Sequence, residues 1–227
     1  MLRAIIFDMD GVICDSEPLH MFAFQKVLKE EGIHLSDDDY YDRYLAFDDR
    51  GCFERIFREN NRPMDGASLR SLIERKGRAF SELMRTKLTI YPGVEAFVKK
   101  AEQKYSLGLA SGARRLEIEF ILKKANVHHC FSAVVSADDV TAGKPDPESF
   151  QKALGMLNRV RLDGTPEITP GECLVIEDSL HGIAAAGAAG MKSLAVTTSF
   201  EADQLHNADH VVDSLVGLEF SVLENLF

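Results

Sequence analysis

No apolar run in the 227-residue chain approaches the ~20 residues that a membrane-spanning helix requires. The N-terminus lacks a basic region and a cleavage-site pattern and runs directly into a short apolar strand, so no signal peptide is expected, and a cytoplasmic location follows. Cysteine is scarce. Cys14, Cys52, Cys130 and Cys173 are widely spaced and form no CxxC pair, which argues against a disulfide framework or a zinc site and for reduced thiols. The seven histidines form no HExxH or other metal-binding spacing, and the adjacent His128 and His129 read as surface or C-cap residues. A surplus of positive charge is also missing. The net charge is -10, whereas phosphate backbones demand a basic surface, so general nucleic-acid binding is not expected. No internal repeat or low-complexity tract appears.

What is present fits an ordinary globular chain, with 45% apolar and 27% charged residues. The length suits one large core, or a core domain with a smaller appendage. Charge is unevenly spread: residues 16–88 hold 14 acidic and 13 basic side chains, and the remainder holds 22 and 13. Ordinary surface variation accounts for this equally well, but it also suits two units with different jobs.

Short apolar runs recur at Ala4–Phe7, Leu107–Ala110, Ala133–Val135, Cys173–Ile176, Leu194–Val196 and His210–Val212. Helical patterns lie between them at Gly93–Lys104, Arg115–Ala125, Pro147–Leu157 and Gly182–Ala189. Strands alternating with helices of this length predict an α/β fold of right-handed βαβ units around a Rossmann-like parallel sheet. The stretch Glu17–Lys87 breaks the rhythm, with helical spacing only, as at Phe22, Val27 and Leu28 and again at Leu69, Leu72, Ile73, Phe80 and Leu83. An inserted all-helical domain is expected over 16–87, and the α/β core over 1–15 and 88–227. Asn158–Gly171, with Gly164 and two prolines, reads as one long surface loop.

Four groups at the carboxyl ends of these runs carry chemistry, where ligands collect in open α/β sheets. Asp8 and Asp10 can converge on one point, which like charge disfavours unless a cation such as Mg2+ sits there. Two acids in a loop are common, so alone they specify little. Ser111-Gly112 offers a hydroxyl and an amide to a phosphate oxygen, though a serine here also serves as a helix N-cap. Lys144 stands in Gly143-Lys144-Pro145-Asp146-Pro147, a framing that a merely solvated lysine would not need. Glu177-Asp178 ends a further strand and precedes a helix rich in small residues, Gly182 to Gly187.

Together these blocks resemble the haloacid dehalogenase-like superfamily of phosphotransferases, over essentially the whole chain. The carriers are Asp8-x-Asp10-Gly11-Val12-x-x-Asp15-Ser16-Glu17, Gly143-Lys144-Pro145-Asp146-Pro147 and Glu177-Asp178-Ser179-x-x-Gly182-Ile183-x-Ala185-Ala186. They are similar to the branch that contains β-phosphoglucomutase and small sugar-phosphate phosphatases, whose helical cap follows the first strand. The resemblance implies that Asp8 is a nucleophile forming an aspartyl-phosphate, and Asp10 the general acid and then base. It implies Mg2+ held by Asp8, the Asp10 backbone carbonyl and Asp178, with Glu177 beside them, and transferring oxygens held by Ser111, Gly112 and Lys144. The cap positions comparable to substrate contacts are His20, Arg50 and Lys76. His20 reads equally as a packing or capping residue, Arg50 as a partner of Asp48, Asp49 or Glu54, and Lys76 as one cation of an Arg75–Arg78 face. After Ser111 the mutase has a Ser-Lys pair for a second phosphate; here Ala113-Arg114 follow Gly112, which tilts the expectation from mutase to phosphatase. A catalytically silent binding protein is the third reading, which the intact Asp8, Asp10, Lys144 and Asp178 disfavour. The expected partner is a small phosphorylated metabolite, and the expected state a monomer.

Overall fold

The computed structural model describes residues 1–45, 47–162 and 164–227. Ala46 of the expected helical domain and Asp163 of the expected loop lie outside the described residues. In chain order the elements are β1 (Ala4–Phe7), β2 (Cys14–Asp15), α1 (Glu17–Glu30), α2 (Asp37–Arg43), α3 (Asp49–Glu59) and α4 (Gly66–Lys87). These are followed by β3 (Thr89–Ile90), α5 (Val94–Glu102), β4 (Ser106–Ala110), α6 (Arg115–Lys124), β5 (Ala133–Val135) and α7 (Glu148–Arg159). The last are β6 (Cys173–Glu177), α8 (Leu180–Ala188), β7 (Lys192–Val196), β8 (His210–Val212) and α9 (Phe220–Glu224). The chain divides into two compact units, Met1–Asp15 with Ile90–Phe227, and Ser16–Thr89. Among the described residues no helix is long and apolar enough to cross a membrane.

The first unit is built on a six-stranded sheet in the order β5-β4-β1-β6-β7-β8, parallel throughout. All four residues of β1 are fully buried, which is why they read as an unbroken apolar run rather than an alternation. Side chains nonetheless divide between the two faces with period two. Ala4 and Ile6 join a cluster with Phe150, Ala153 and Leu157 of α7 and Ala185 and Ala186 of α8. Phe7 turns the other way and meets Phe97 of α5 edge-on at 6.1 Å and Phe131 at 5.6 Å. The chain builds β1, β4 and β5 in one direction, then returns to place β6, β7 and β8 on the other side of β1. That reversal makes a crevice at the carboxyl end of β1, where such sheets bind their ligands. Register levels the edge: Phe7 stands opposite both Leu109 of β4 and Ile176 of β6.

The expected surface loop at 158–171 is a surface feature only in part. Helix α7 continues to Arg159, and Ile168 is buried in the cluster beneath it. Asn158 makes this possible by satisfying the Ile168 backbone on both sides, donating to its carbonyl at 2.9 Å and accepting from its N–H at 2.8 Å.

Among the described residues the second unit holds four helices, α1 to α4. Ser36, Asp48 and Asp65 start the last three, each accepting a backbone N–H three residues on, from Asp39, Gly51 and Ser68. Its core packs Phe24, Val27 and Leu28 of α1 against Phe53 and Ile56 of α3 and Leu69 and Leu72 of α4.

Candidate active site

Strand β1 delivers Asp8 to the crevice, where its N–H continues the sheet by donating to the Ile176 carbonyl at 2.9 Å. The chain then coils tightly: the N–H groups of Val12, Ile13 and Cys14 all donate to the carbonyl of Met9. Within this coil Gly11 adopts a left-handed φ of 77°, and a Cβ there would fall 1.8 Å from Asp178 Oδ2. Glycine is therefore required twice over, by its backbone conformation and by the carboxylate pressed against it. Asp10, half-buried, receives the Ser111 hydroxyl at 3.5 Å, so the first two motifs meet. Ser111 Oγ also accepts the Ala113 N–H at 3.0 Å, and the exposed Gly112 between them has open space above its Cα.

Lys144 is the hub of the cluster. Its ammonium is ion-paired to Asp8 Oδ1 and to Glu177 Oε1, the latter at 2.6 Å, and donates to the Ala110 carbonyl at 3.1 Å. It also lies 4.8 Å from the centre of the Phe150 ring. Glu177, expected near a metal, has Oε2 taken by the N–H groups of Asp178 and Ser179 and by the Ser179 hydroxyl. With Oε1 engaged by Lys144, this carboxylate braces the lysine. Gly182 admits it: a Cβ at that position would fall 1.8 Å from Glu177 Cδ. Asp178 accepts the Ser199 hydroxyl, and Thr198 donates to the Gly11 carbonyl at 2.5 Å.

The charges are strongly perturbed. Burial drives the Asp8 carboxyl well above its ordinary range; Lys144 opposes this, while Glu177, Asp178 and Asp10 push it further up. Asp178 is pushed up to about 7, by burial first and then by the Glu177 charge. Burial would also raise Glu177, but Lys144 and the Ser179 donors outweigh it and hold the group below its usual value. The same burial would deprotonate Lys144; Asp8 and Glu177 reverse that and raise it above the ordinary lysine range. Two of the four carboxylates, Asp8 and Glu177, are paired to the Lys144 ammonium, and the raised pair Asp8 and Asp178 offers hard carboxylate oxygens. That set fits a Mg2+ ion, which would offset both the burial and the like-charge repulsion that lift Asp8 and Asp178.

Of the three helical-domain candidates, His20 and Lys76 meet within their unit, and Arg50 stands apart from them. Lys76 is only 2% exposed, so it is no part of a solvated cationic face. Its ammonium contacts Asp49 Oδ1 at 2.6 Å and His20 Nδ1 at 2.7 Å, above the rings of Phe24 and Phe80. His20 stacks on Phe80 with ring centres 4.0 Å apart. Arg50 remains exposed and pairs with Glu54, one turn on, at 3.3 Å.

Two contributors escaped the sequence reading, Thr198 and Ser199. They follow β7 as Ser111 follows β4, and polar residues at that strand end were the available signal. The roles of Gly11 and Gly182 needed the carboxylates that lie against them.

Residues 5–196 match the family model described as haloacid dehalogenase-like hydrolase. A phosphorylated carbohydrates phosphatase of Thermotoga maritima is 30% identical over 195 residues, 85% of this chain and 84% of its own. A β-phosphoglucomutase of Bacillus subtilis is 30% identical over 201 residues, 86% of this chain and 83% of its own. Among solved structures, a β-phosphoglucomutase of Clostridium difficile superposes with a TM-score of 0.82 at 26% identity, covering 100% of this chain and 97% of that one.

Proposed function

Because the chain belongs to the haloacid dehalogenase-like hydrolase family, we propose that it is a magnesium-dependent phosphatase that releases inorganic phosphate from a small phosphorylated sugar. The observation that carries this reading is the ion pair of Asp8 with Lys144 at the carboxyl end of β1, with Lys144 held in turn by Glu177 and Ala110.

Asp8 attacks phosphorus, forming a carboxyl–phosphate bond while the bond to the leaving oxygen breaks. Asp10 gives its proton to that oxygen, so the alcohol departs neutral. A water then loses a proton to the Asp10 carboxylate and attacks the same phosphorus; the acyl-phosphate bond breaks, regenerating Asp8 and freeing phosphate. Lys144 neutralises charge on the transferring oxygens, and the Ser111 hydroxyl and Gly112 amide face the same group. Asp8, Asp178 and the Asp10 backbone carbonyl are the residues that would hold Mg2+, which when bound supplies positive charge against the repulsion between Asp8 and the phosphoryl group. Substrate selection is assigned to the helical unit, with Arg50 as the exposed contact and His20 as a ring fixed by Lys76 and Phe80.

A phosphosugar mutase is the second reading, favoured by the relatives that bear that name. Ala113 and Arg114 weigh against it, because the first of these removes a hydroxyl from the place of a second phosphate contact. One experiment addresses both. With Mg2+ present, the wild type should release phosphate from a panel of sugar phosphates, and Asp8→Asn should lower turnover by at least about a thousandfold. Full turnover in Asp8→Asn removes the nucleophile assignment. Isomerisation of a sugar phosphate primed by its bisphosphate, in place of hydrolysis, makes the protein a mutase.

A further inference from the structure

Away from the carboxyl edge of the sheet, three side chains of different chemistry meet at the end of α5. Glu102 is the last residue of that helix, and His129 and Cys130 lie in the 3-10 turn His128–Cys130 after α6. A carboxylate oxygen, a ring nitrogen and the Cys130 sulfur all lie within 4.8 Å of one another. Glu102 is remote in sequence from the adjacent His129 and Cys130, and the three follow no familiar ligand spacing, which is why a zinc site was not expected from the sequence.

The backbone beneath them is held from both sides. Helix α5 packs against the turn. Asn126, with a left-handed φ of 58°, donates from its side chain to Glu95 Oε1 on α5 at 2.6 Å. The Cys130 N–H closes the turn onto the Val127 carbonyl at 2.9 Å. Phe97 on α5 and Phe131 just past the turn both pack edge-on against Phe7. Sulfur therefore sits on a fixed, buried base, while the exposed Glu102 and His129 keep rotamer freedom. A tetrahedral zinc ion separates its ligand atoms by about 3.3–3.6 Å. The observed atoms all lie within 4.8 Å of one another, so little more than about an ångström would have to close on binding.

We propose that Glu102, His129 and Cys130 form a second metal site, for a borderline-soft divalent cation of the Zn2+ type, distinct from the carboxylate cluster around Asp8. Thiolate and imidazole select such ions, whereas the all-oxygen set at Asp8 suits Mg2+, so the two sites do not compete for one metal. Binding replaces the thiol proton: the Cys130 S–H bond breaks, the sulfur–metal bond forms, and the proton leaves to solvent. Thiolate and carboxylate then neutralise the dication, and the exposed side of the site leaves a fourth position for water. Lys99, the cation one turn back on α5, is already paired to Glu95 at 2.7 Å.

The test titrates Co2+ into the protein held in saturating Mg2+ and follows the near-ultraviolet thiolate-to-cobalt charge-transfer band, with Zn2+ as competitor. One equivalent of Co2+ should produce the band and Zn2+ should abolish it. Cys14→Ser should retain it, and Cys130→Ser should lose it. His129→Ala and Glu102→Gln, at exposed positions that do not threaten folding, should each weaken binding by about tenfold or more. No band in the wild type, a band that survives in Cys130→Ser, or unchanged affinity in His129→Ala would each overturn the assignment.

Discussion

Gly11 and Gly182 of the core motifs are needed for what lies against them. Gly182 stands in the first turn of α8 with Glu177 filling the space a methyl group would take. Gly187, later in the same helix, has no atom within 4 Å of where its Cβ would be. The two substitutions by alanine should therefore differ in sign. Gly187→Ala should stabilise by up to about 1 kcal/mol, as helix propensity dictates. Gly182→Ala should destabilise by about 1–3 kcal/mol through overpacking, and should also displace Glu177, release Lys144 and lower turnover. Thermal unfolding alongside phosphate release reads both; equal effects at the two positions would mean that Glu177 is not wedged against α8.

At the scale of the element, the pairing of α1 with α4 rests partly on a polar contact inside an apolar core. Lys76 of α4 is buried over the Phe24 and Phe80 rings and is satisfied by Asp49 and by His20 of α1. Burial, then the Lys76 charge, holds the His20 imidazole well below its ordinary 6.5, so the folded state favours the neutral ring. The unfolded chain binds the proton more tightly, and stability rises with pH wherever it does. This contribution is full above pH 6.5, the unfolded value, and is lost progressively as pH falls below it toward the lower folded value. Melting temperatures measured from about pH 7.5 to 5 should fall more steeply for the wild type than for His20→Gln, which has no proton to gain. Parallel curves would show that the ring is not held neutral by its burial.

For the whole molecule, the fold was legible because a sheet covered on both faces writes its strands as short unbroken apolar runs, as at Ala4–Phe7 and Cys173–Ile176. Residues ending those runs in acid, hydroxyl or lysine pointed to one edge of the sheet. Less was legible where meaning depends on a neighbour distant in sequence. Lys76 reads either as a substrate contact or as one cation of a solvated face, and its enclosure by aromatic rings and Asp49 is not written in its neighbours in sequence. Glu177 reads as a neighbour of the metal, and its engagement by Lys144 and Ser179 needs the structure to be seen. Ile168 reads as loop until Asn158 satisfies its backbone. The crowding of carboxylates at the edge also predicts how the protein responds to metal as a unit. A cation that binds only the folded state should add about 2.7 kcal/mol at a concentration a hundredfold above its dissociation constant. Mg2+ should accordingly raise the melting temperature of the wild type and leave that of Asp178→Asn nearly unmoved. An equal rise in both would place the ion elsewhere.

The way the chain leaves and rejoins the sheet-bearing unit has its own consequence. Ile13 and Tyr91 flank the excursion through residues 16–89, and the Tyr91 N–H donates to the Ile13 carbonyl at 3.0 Å. The two cut ends are thus stitched together before the helical segment begins and after it ends. The order of strands is the same whatever is threaded between them, so the segment is a cassette: it can lengthen, shorten or be exchanged while β1 and the aspartates beyond it keep their places. If the helical unit selects the substrate as proposed, exchanging the segment changes selectivity and leaves the residues around Asp8 as they are, with the Tyr91–Ile13 hydrogen bond marking the joint.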